Sequence, residues 1–156
     1  MTTTQIPMFI ALAVAFVVFM VQPVYGGAEV LLQLESNEML VNDTAEYLAE
    51  GTEPKVVGGR ALVPIRAVIE ALGGIVVWDS QYMLITVRDH IGENEIILKI
   101  NSYDSVVNAE QGPQLDVAPI LVEGTTMAPI YFVSRHLGYD LSWGEDTRTI
   151  EIRSEF

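Results

Sequence analysis

The chain has 156 residues, half of them hydrophobic, with no cysteine and 21 acidic against 8 basic side chains, a net charge of −13. A chain of this length and apolar content can bury a core, and the missing thiols exclude disulfides, thiolate metal centres and cysteine nucleophiles. The acidic excess opposes binding to nucleic-acid phosphates, and to anionic lipid or wall polymers unless divalent cations bridge the two surfaces.

Residues 1–28 carry no charged side chain, and Met8 to Val21 is an unbroken apolar run that Gln22-Pro23 interrupts. Small residues at Gly26, Gly27 and Ala28 follow, where a signal peptidase would cut, so residues 1–28 are expected to be a signal peptide. Met1 to Gln5 contains no Lys or Arg. The alternative is therefore an uncleaved anchor through residues 6–24, near the short end of the roughly 17–25 residues that span a bilayer. In either case the rest of the chain, residues 29–156, is expected to be secreted or held at a bacterial cell surface, with membrane contact only through an uncleaved N-terminal segment.

Val30 to Leu34 and Met39 to Val41 are apolar enough for strands, whereas the polar stretch Asn42 to Lys55 reads as a loop or a weak helix. Pro64 then marks a helix start, because its fixed φ suits the first turn and its missing N–H costs nothing there. Ile65, Val68, Ile69 and Leu72 follow the i, i+3, i+4, i+7 spacing of one helix face, and Gly73 suits a left-handed terminator. Beyond it the period changes to two at Val76 and Trp78, a polar turn follows at Asp79-Ser80-Gln81, and Ile85 and Val87 alternate again. Each helix thus feeds a hairpin. Glu95 to Ile100 and Ser105 to Asn108 predict another hairpin about Asn101 to Asp104, and Gly112-Pro113 separates it from Leu115 to Ile120.

Sliding Gly59 onto Gly124 aligns the chain with itself, without gaps, from about residues 59–88 to about 124–153. Pro64 meets Pro129, Ile65 meets Ile130, Val68 meets Val133, Leu72 meets Leu137, Gly73 meets Gly138 and Trp78 meets Trp143. The aligned residues start a helix, face it, end it and anchor a strand. The expected fold class is α+β, with antiparallel strands and hairpins packed around two short helices, one per copy of a two-fold repeat. Whether the copies share a sheet or form two lobes is open at this level.

The string Gly-Arg-x-Leu-Val-Pro-Ile-Arg-Ala-x-x-Glu-Ala-Leu-Gly from Gly59 to Gly73, followed by a strand ending in Trp78-Asp79, resembles the copper amine oxidase N-terminal-like, or stalk, domain family. The resemblance covers roughly Val30 to Arg153. It implies a small non-catalytic domain of antiparallel strands around a helix, found in exported proteins of Gram-positive bacteria. The second copy departs from the family pattern, reading Met127-Ala128-Pro129-Ile130-Tyr131, so that Tyr131 stands where Arg66 keeps the family arginine.

Amine oxidase chemistry itself requires three histidine ligands and a cofactor-forming tyrosine between asparagine and an acid. This chain has only His90 and His136, and its nearest string, Asn101-Ser102-Tyr103-Asp104, carries an extra serine. Both histidines read as ordinary surface residues. The turns after Trp78 and Trp143 lack the alternating oxygen ligands of a calcium loop, although an acidic surface is compatible with weak divalent-cation binding. No pair of carboxylates is singled out for glycosidase work, and Asn42-Asp43-Thr44 is a chance sequon.

No catalytic, cofactor-binding or metal-binding residue is therefore expected, and no cofactor. Arg66, Trp78, Tyr131 and Trp143 are the candidates for an interaction surface, with core packing the stronger expectation for the two tryptophans. The function expected is that of an exported, non-catalytic structural or interaction module of the cell envelope or extracellular space, meeting an envelope protein or wall polymer. The alternative is a module of the wall that binds glycans or small ligands through an exposed aromatic face.

Overall fold

The computed structural model describes residues 27–155. Apart from Gly27 and Ala28, the expected leader or anchor lies outside the described residues.

The elements run β1 (Glu29–Gln33), β2 (Glu38–Val41), β3 (Thr44–Tyr47), β4 (Lys55–Val57), β5 (Arg60–Pro64), α1 (Ile65–Ala71), β6 (Ile75–Asp79) and β7 (Leu84–Arg88). They continue as β8 (Glu95–Lys99), β9 (Ser105–Val107), β10 (Glu110–Gln111), β11 (Ile120–Val122), β12 (Thr125–Pro129), α2 (Ile130–Leu137), β13 (Asp140–Gly144) and β14 (Thr149–Arg153). All pairings are antiparallel. They build three sheets, ordered β13-β14-β1-β2-β3, β10-β9-β8-β7-β6 and β11-β12-β5-β4. The architecture is α+β with few helices.

Helices this short are marginal in water and persist through burial of one face. In α1 the buried face is Ile65, Val68 and Ile69, with Leu72 closing it, and in α2 it is Ile130, Val133 and Leu137. These residues meet the inward faces of both five-stranded sheets in one core, against Val30 and Leu32, Val76, Ile85 and Val87, Ile96 and Leu98, and Ile150 and Ile152. A smaller cluster of Leu62, Val117 and Met127 involves the four-stranded sheet. Pro64 and Pro129 precede the first helical turn instead of occupying it. Each is the last residue of a strand and the N-cap of its helix, with ψ of 96° and 105°. Gly138 ends α2 at φ 73°, the left-handed position that a residue without Cβ accepts.

The polar stretch Asn42 to Lys55 is not a loop or weak helix throughout. Thr44–Tyr47 is a strand paired with β2, and the reversal is made by Asn42 and Asp43 at φ 47° and 65°. Two successive left-handed residues make the primed hairpin turn whose twist matches that of the strands it joins. Every residue of β3 is exposed, so no apolar alternation announces it. Similar turns at Gly58-Gly59, Asn108-Ala109 and Glu123-Gly124 close β4–β5, β9–β10 and β11–β12.

The hairpins do not stay with their own half of the chain. β5 pairs with β12, setting Val63 opposite Ala128 in a shared sheet. The hairpin after α1 joins β8, with Ile85 opposite Leu98, whereas the hairpin after α2 joins the first strand of the domain, with Ile152 opposite Val30. Ser154 and Ala28 complete that closure through Ser154 N–H donating to the Ala28 carbonyl and Ala28 N–H donating to Ser154 Oγ.

Candidate functional site

Arg66 lies in the first turn of α1, half exposed, with Glu70 one turn further on. Its Nη1 donates to Glu70 Oε1 at 3.1 Å and to the carbonyl oxygen of Val76 at 2.9 Å. An exposed i,i+4 ion pair contributes only a few tenths of a kcal/mol. The bond to Val76 matters more, because β6 is the last strand of its sheet and one row of its carbonyls has no strand neighbour.

Trp78, on the same strand, stands opposite Ile85 and is partly buried against the core. Arg66 and Trp78 line one groove of about 460 Å³, together with Ile85, Leu121, Thr125 and Thr126. The far side of Arg66 borders a second hollow of about 550 Å³, between α1 and the β3 hairpin, lined by Met39, Tyr47, Leu48, Thr52 and Glu70 among others. The fold thus brings two of the four candidate residues together. Thr125 and Thr126 come from the other half of the chain through the β5–β12 pairing, a contribution that motif reading misses.

Tyr131 and Trp143 lie elsewhere. Tyr131, 47% exposed, accepts from Arg135 Nη1 at 3.1 Å and lies under the Arg60 guanidinium, 5.5 Å from its ring centroid. Arg60 in turn donates from Nε to Asp116 at 2.6 Å. With Phe132 and His136 these side chains leave a hollow of only about 80 Å³ beside α2. Where the arginine of α1 borders open space, the tyrosine of α2 helps to fill it.

Trp143 overturns the expectation of core packing. It points to the same side as buried Ile150, yet it is 47% exposed, on β13, the edge strand of its sheet. The alternation was readable; its distance from the centre of the sheet was not.

The histidines are less superficial than the sequence suggests. His136 is partly buried, its Nδ1 2.8 Å from the Phe132 carbonyl oxygen and its ring tilted at 33° against Phe132 with centroids 4.3 Å apart, and His90 is partly buried as well. Among the described residues no group of three or more His, Cys, Asp or Glu side chains is placed to hold a metal ion.

Of two buried polar residues, Asp89 had no signal in the sequence, whereas Tyr139 stands in the period-two alternation with Leu141 and Trp143. Asp89 accepts from the backbone N–H groups of Glu93 and Asn94 and from Asn94 Nδ2, organising the β7–β8 connection. Tyr139 has its phenol pushed up to about 12, by burial first and by the charge of Asp89 second.

A family model described as copper amine oxidase N-terminal domain matches the chain twice, over residues 19–87 and 49–152. The two matches overlap, and the second alone covers more than half of the sequence. No curated relative and no solved structure matches the chain.

Proposed function

The chain belongs to the copper amine oxidase N-terminal domain family, a module non-catalytic in itself, and from that premise we propose that it acts as an exported, non-catalytic structural or interaction module of the bacterial envelope or extracellular space. The observation that carries this reading is the use made of Arg66. The one charged residue that the motif directs at the groove is engaged in fastening α1 to the edge of β6. A side chain fixed in that way supports a surface and is poorly placed to move a proton or attack a substrate.

The uncharged, apolar start of the chain supports export. The two-fold repeat belongs to the same reading. It is supported by the recurring succession of strand, proline, helix and hairpin, and by paired hydrogen bonds: Glu29 N–H donates to Asn42 Oδ1 while Asn42 N–H donates to the Glu29 carbonyl, and Glu95 and Asn108 make the same exchange.

The test is fractionation of bacteria producing the tagged full chain, followed by binding of that chain to isolated walls and membranes. Recovery in the envelope or culture fluid, with retention on one of those fractions, is expected. A cytoplasmic location, or no retention on either fraction, overturns the proposal.

A second reading, glycan or small-ligand binding, is favoured by one feature: the Trp78 indole, the Arg66 guanidinium and the Thr125 and Thr126 hydroxyls line the same groove. Aromatic surface flanked by a few polar donors suits sugar rings. Calorimetry against soluble wall fragments tests it. Heat that disappears on Trp78→Ala supports the reading, and no heat across a broad panel removes it.

A further inference from the structure

The outer faces of the two five-stranded sheets differ. On β6 to β10 the outward positions form three rows set by the strand register: Ile75, Arg88 and Glu95; then Val77, Thr86, Ile97 and Val106, ending in Gln111 on the edge strand; then Asp79, Leu84 and Lys99. Ile75 and Val77 are 52% and 49% exposed, and Leu84, Thr86, Ile97 and Val106 are partly exposed. The middle row of the other sheet reads Ser142, Glu151, Leu31, Leu40 and Ala45, and beside it stand Asp140, Arg153 and Glu29. One face is an apolar band and the other is largely polar.

Charge on the apolar face is also unusual for this molecule. Its four ionised side chains are Asp79, Arg88, Glu95 and Lys99, two of each sign, on a chain whose net charge is −13. Two acidic surfaces brought together repel; two copies of this face do not.

The pattern is complementary to itself in one orientation. A two-fold axis along the middle row places that row against its own copy and turns the first row onto the third. Glu95, which pairs with Arg88 of its own copy at 2.5 Å, then faces Lys99 of the second copy and Lys99 faces its Glu95, while Arg88 falls beside the second copy's Asp79. Sheets that pack face to face with nearly aligned strands are a standard arrangement.

We propose that this sheet face is a self-association surface, on which a second copy of the chain packs about a two-fold axis running along Val77, Thr86, Ile97 and Val106. The proposal does not depend on export or on the Arg66 groove. Strands about 4.8 Å apart and short, at about 3.4 Å per residue, give a footprint of roughly 20 by 17 Å, about 340 Å² on each copy, less than the roughly 800 Å² per partner of a standard specific interface, so the dimer is weak and transient. Isologous contacts of this kind close at two copies.

The absence of native cysteine makes the test direct. Thr86→Cys and Ile97→Cys are introduced one at a time in the full chain produced in bacteria, and a short bis-maleimide is added. Both variants are expected to yield a cross-linked dimer, while Ser142→Cys, on the outer face of the other sheet, yields little. Adding Lys99→Glu, which sets like charges opposite each other, is expected to lower the yield about tenfold, and combining it with Glu95→Lys to restore it. Equal yields from the two sheets, no dimer from either middle-row variant, adducts to a different protein only, or indifference to Lys99→Glu each overturn the proposal.

Discussion

The Arg66 guanidinium donates to the carbonyl oxygen of Val76 across 2.9 Å, and so ties the first turn of α1 to an edge strand. Position 131, which aligns with it, holds a tyrosine that stacks under Arg60 instead. Arg66→Ala is therefore expected to lower stability by about 1 kcal/mol, a typical net value for one hydrogen bond, discounted for the half-exposed side chain. Urea unfolding followed by circular dichroism measures it. An unchanged midpoint would mean that the contact is incidental.

Gly74 is needed for space and Gly138 for conformation. A Cβ at Gly74 would lie 2.6 Å from both the Arg88 carbonyl oxygen and Ile69 Cγ2, and the backbone atom cannot swing away. At Gly138 a Cβ meets nothing within 4 Å, but φ is 73°. Gly138→Ala should cost about 1–2 kcal/mol, the left-handed penalty alone, and Gly74→Ala clearly more, as expected for overpacking next to a core. Comparable urea midpoints for the two variants would contradict this ordering.

Ala109 adopts φ 65° in the turn between β9 and β10. An L-residue there is strained, while the two-residue turn it helps to form is one that glycine favours. Ala109→Gly is expected to raise stability by about 0.5–1 kcal/mol, after allowance for the greater freedom of glycine in the unfolded chain. A higher thermal midpoint is the readout, and a lower one counts against the turn as described.

Tyr139 holds its proton more tightly when folded, with a pKa of about 12 against 10 for an ordinary phenol. The unfolded chain therefore releases this proton first. Its contribution to stability is complete below about pH 10 and declines between pH 10 and 12. Its hydroxyl has no hydrogen-bond partner among the described residues, so Tyr139→Phe should fold at least as well at pH 8 and lose less stability toward pH 12. Parallel alkaline slopes for the two proteins would show that this phenol does not carry the effect.

Much of the local structure was legible because it repeats within a few residues. Ile65, Val68, Ile69 and Leu72 declare a helix face by spacing alone, and Ile85 and Val87 a half-buried strand. Strand β3 stayed hidden because Thr44–Tyr47 buries nothing, and a strand held only by its hydrogen bonds leaves no hydrophobic period. Arg66 and Trp78 could be picked out as motif residues, but their meeting with Thr125 and Thr126 could not. That groove depends on Leu62, Val63 and Pro64 pairing with Pro129, Ala128 and Met127.

The sequence by itself determined where each helix starts and stops, which residues alternate inward, and that no thiol chemistry is available. These are properties of neighbouring residues, governed by φ restrictions and side-chain period. Tertiary structure alone decided that the final hairpin closes on β1 and not on its own half, that Trp143 lies on an edge strand, and that one sheet keeps an apolar outer face. Each of these outcomes turns on which strand lies beside which, and strand order is set by packing around the shared core, over distances along the chain that no local pattern records.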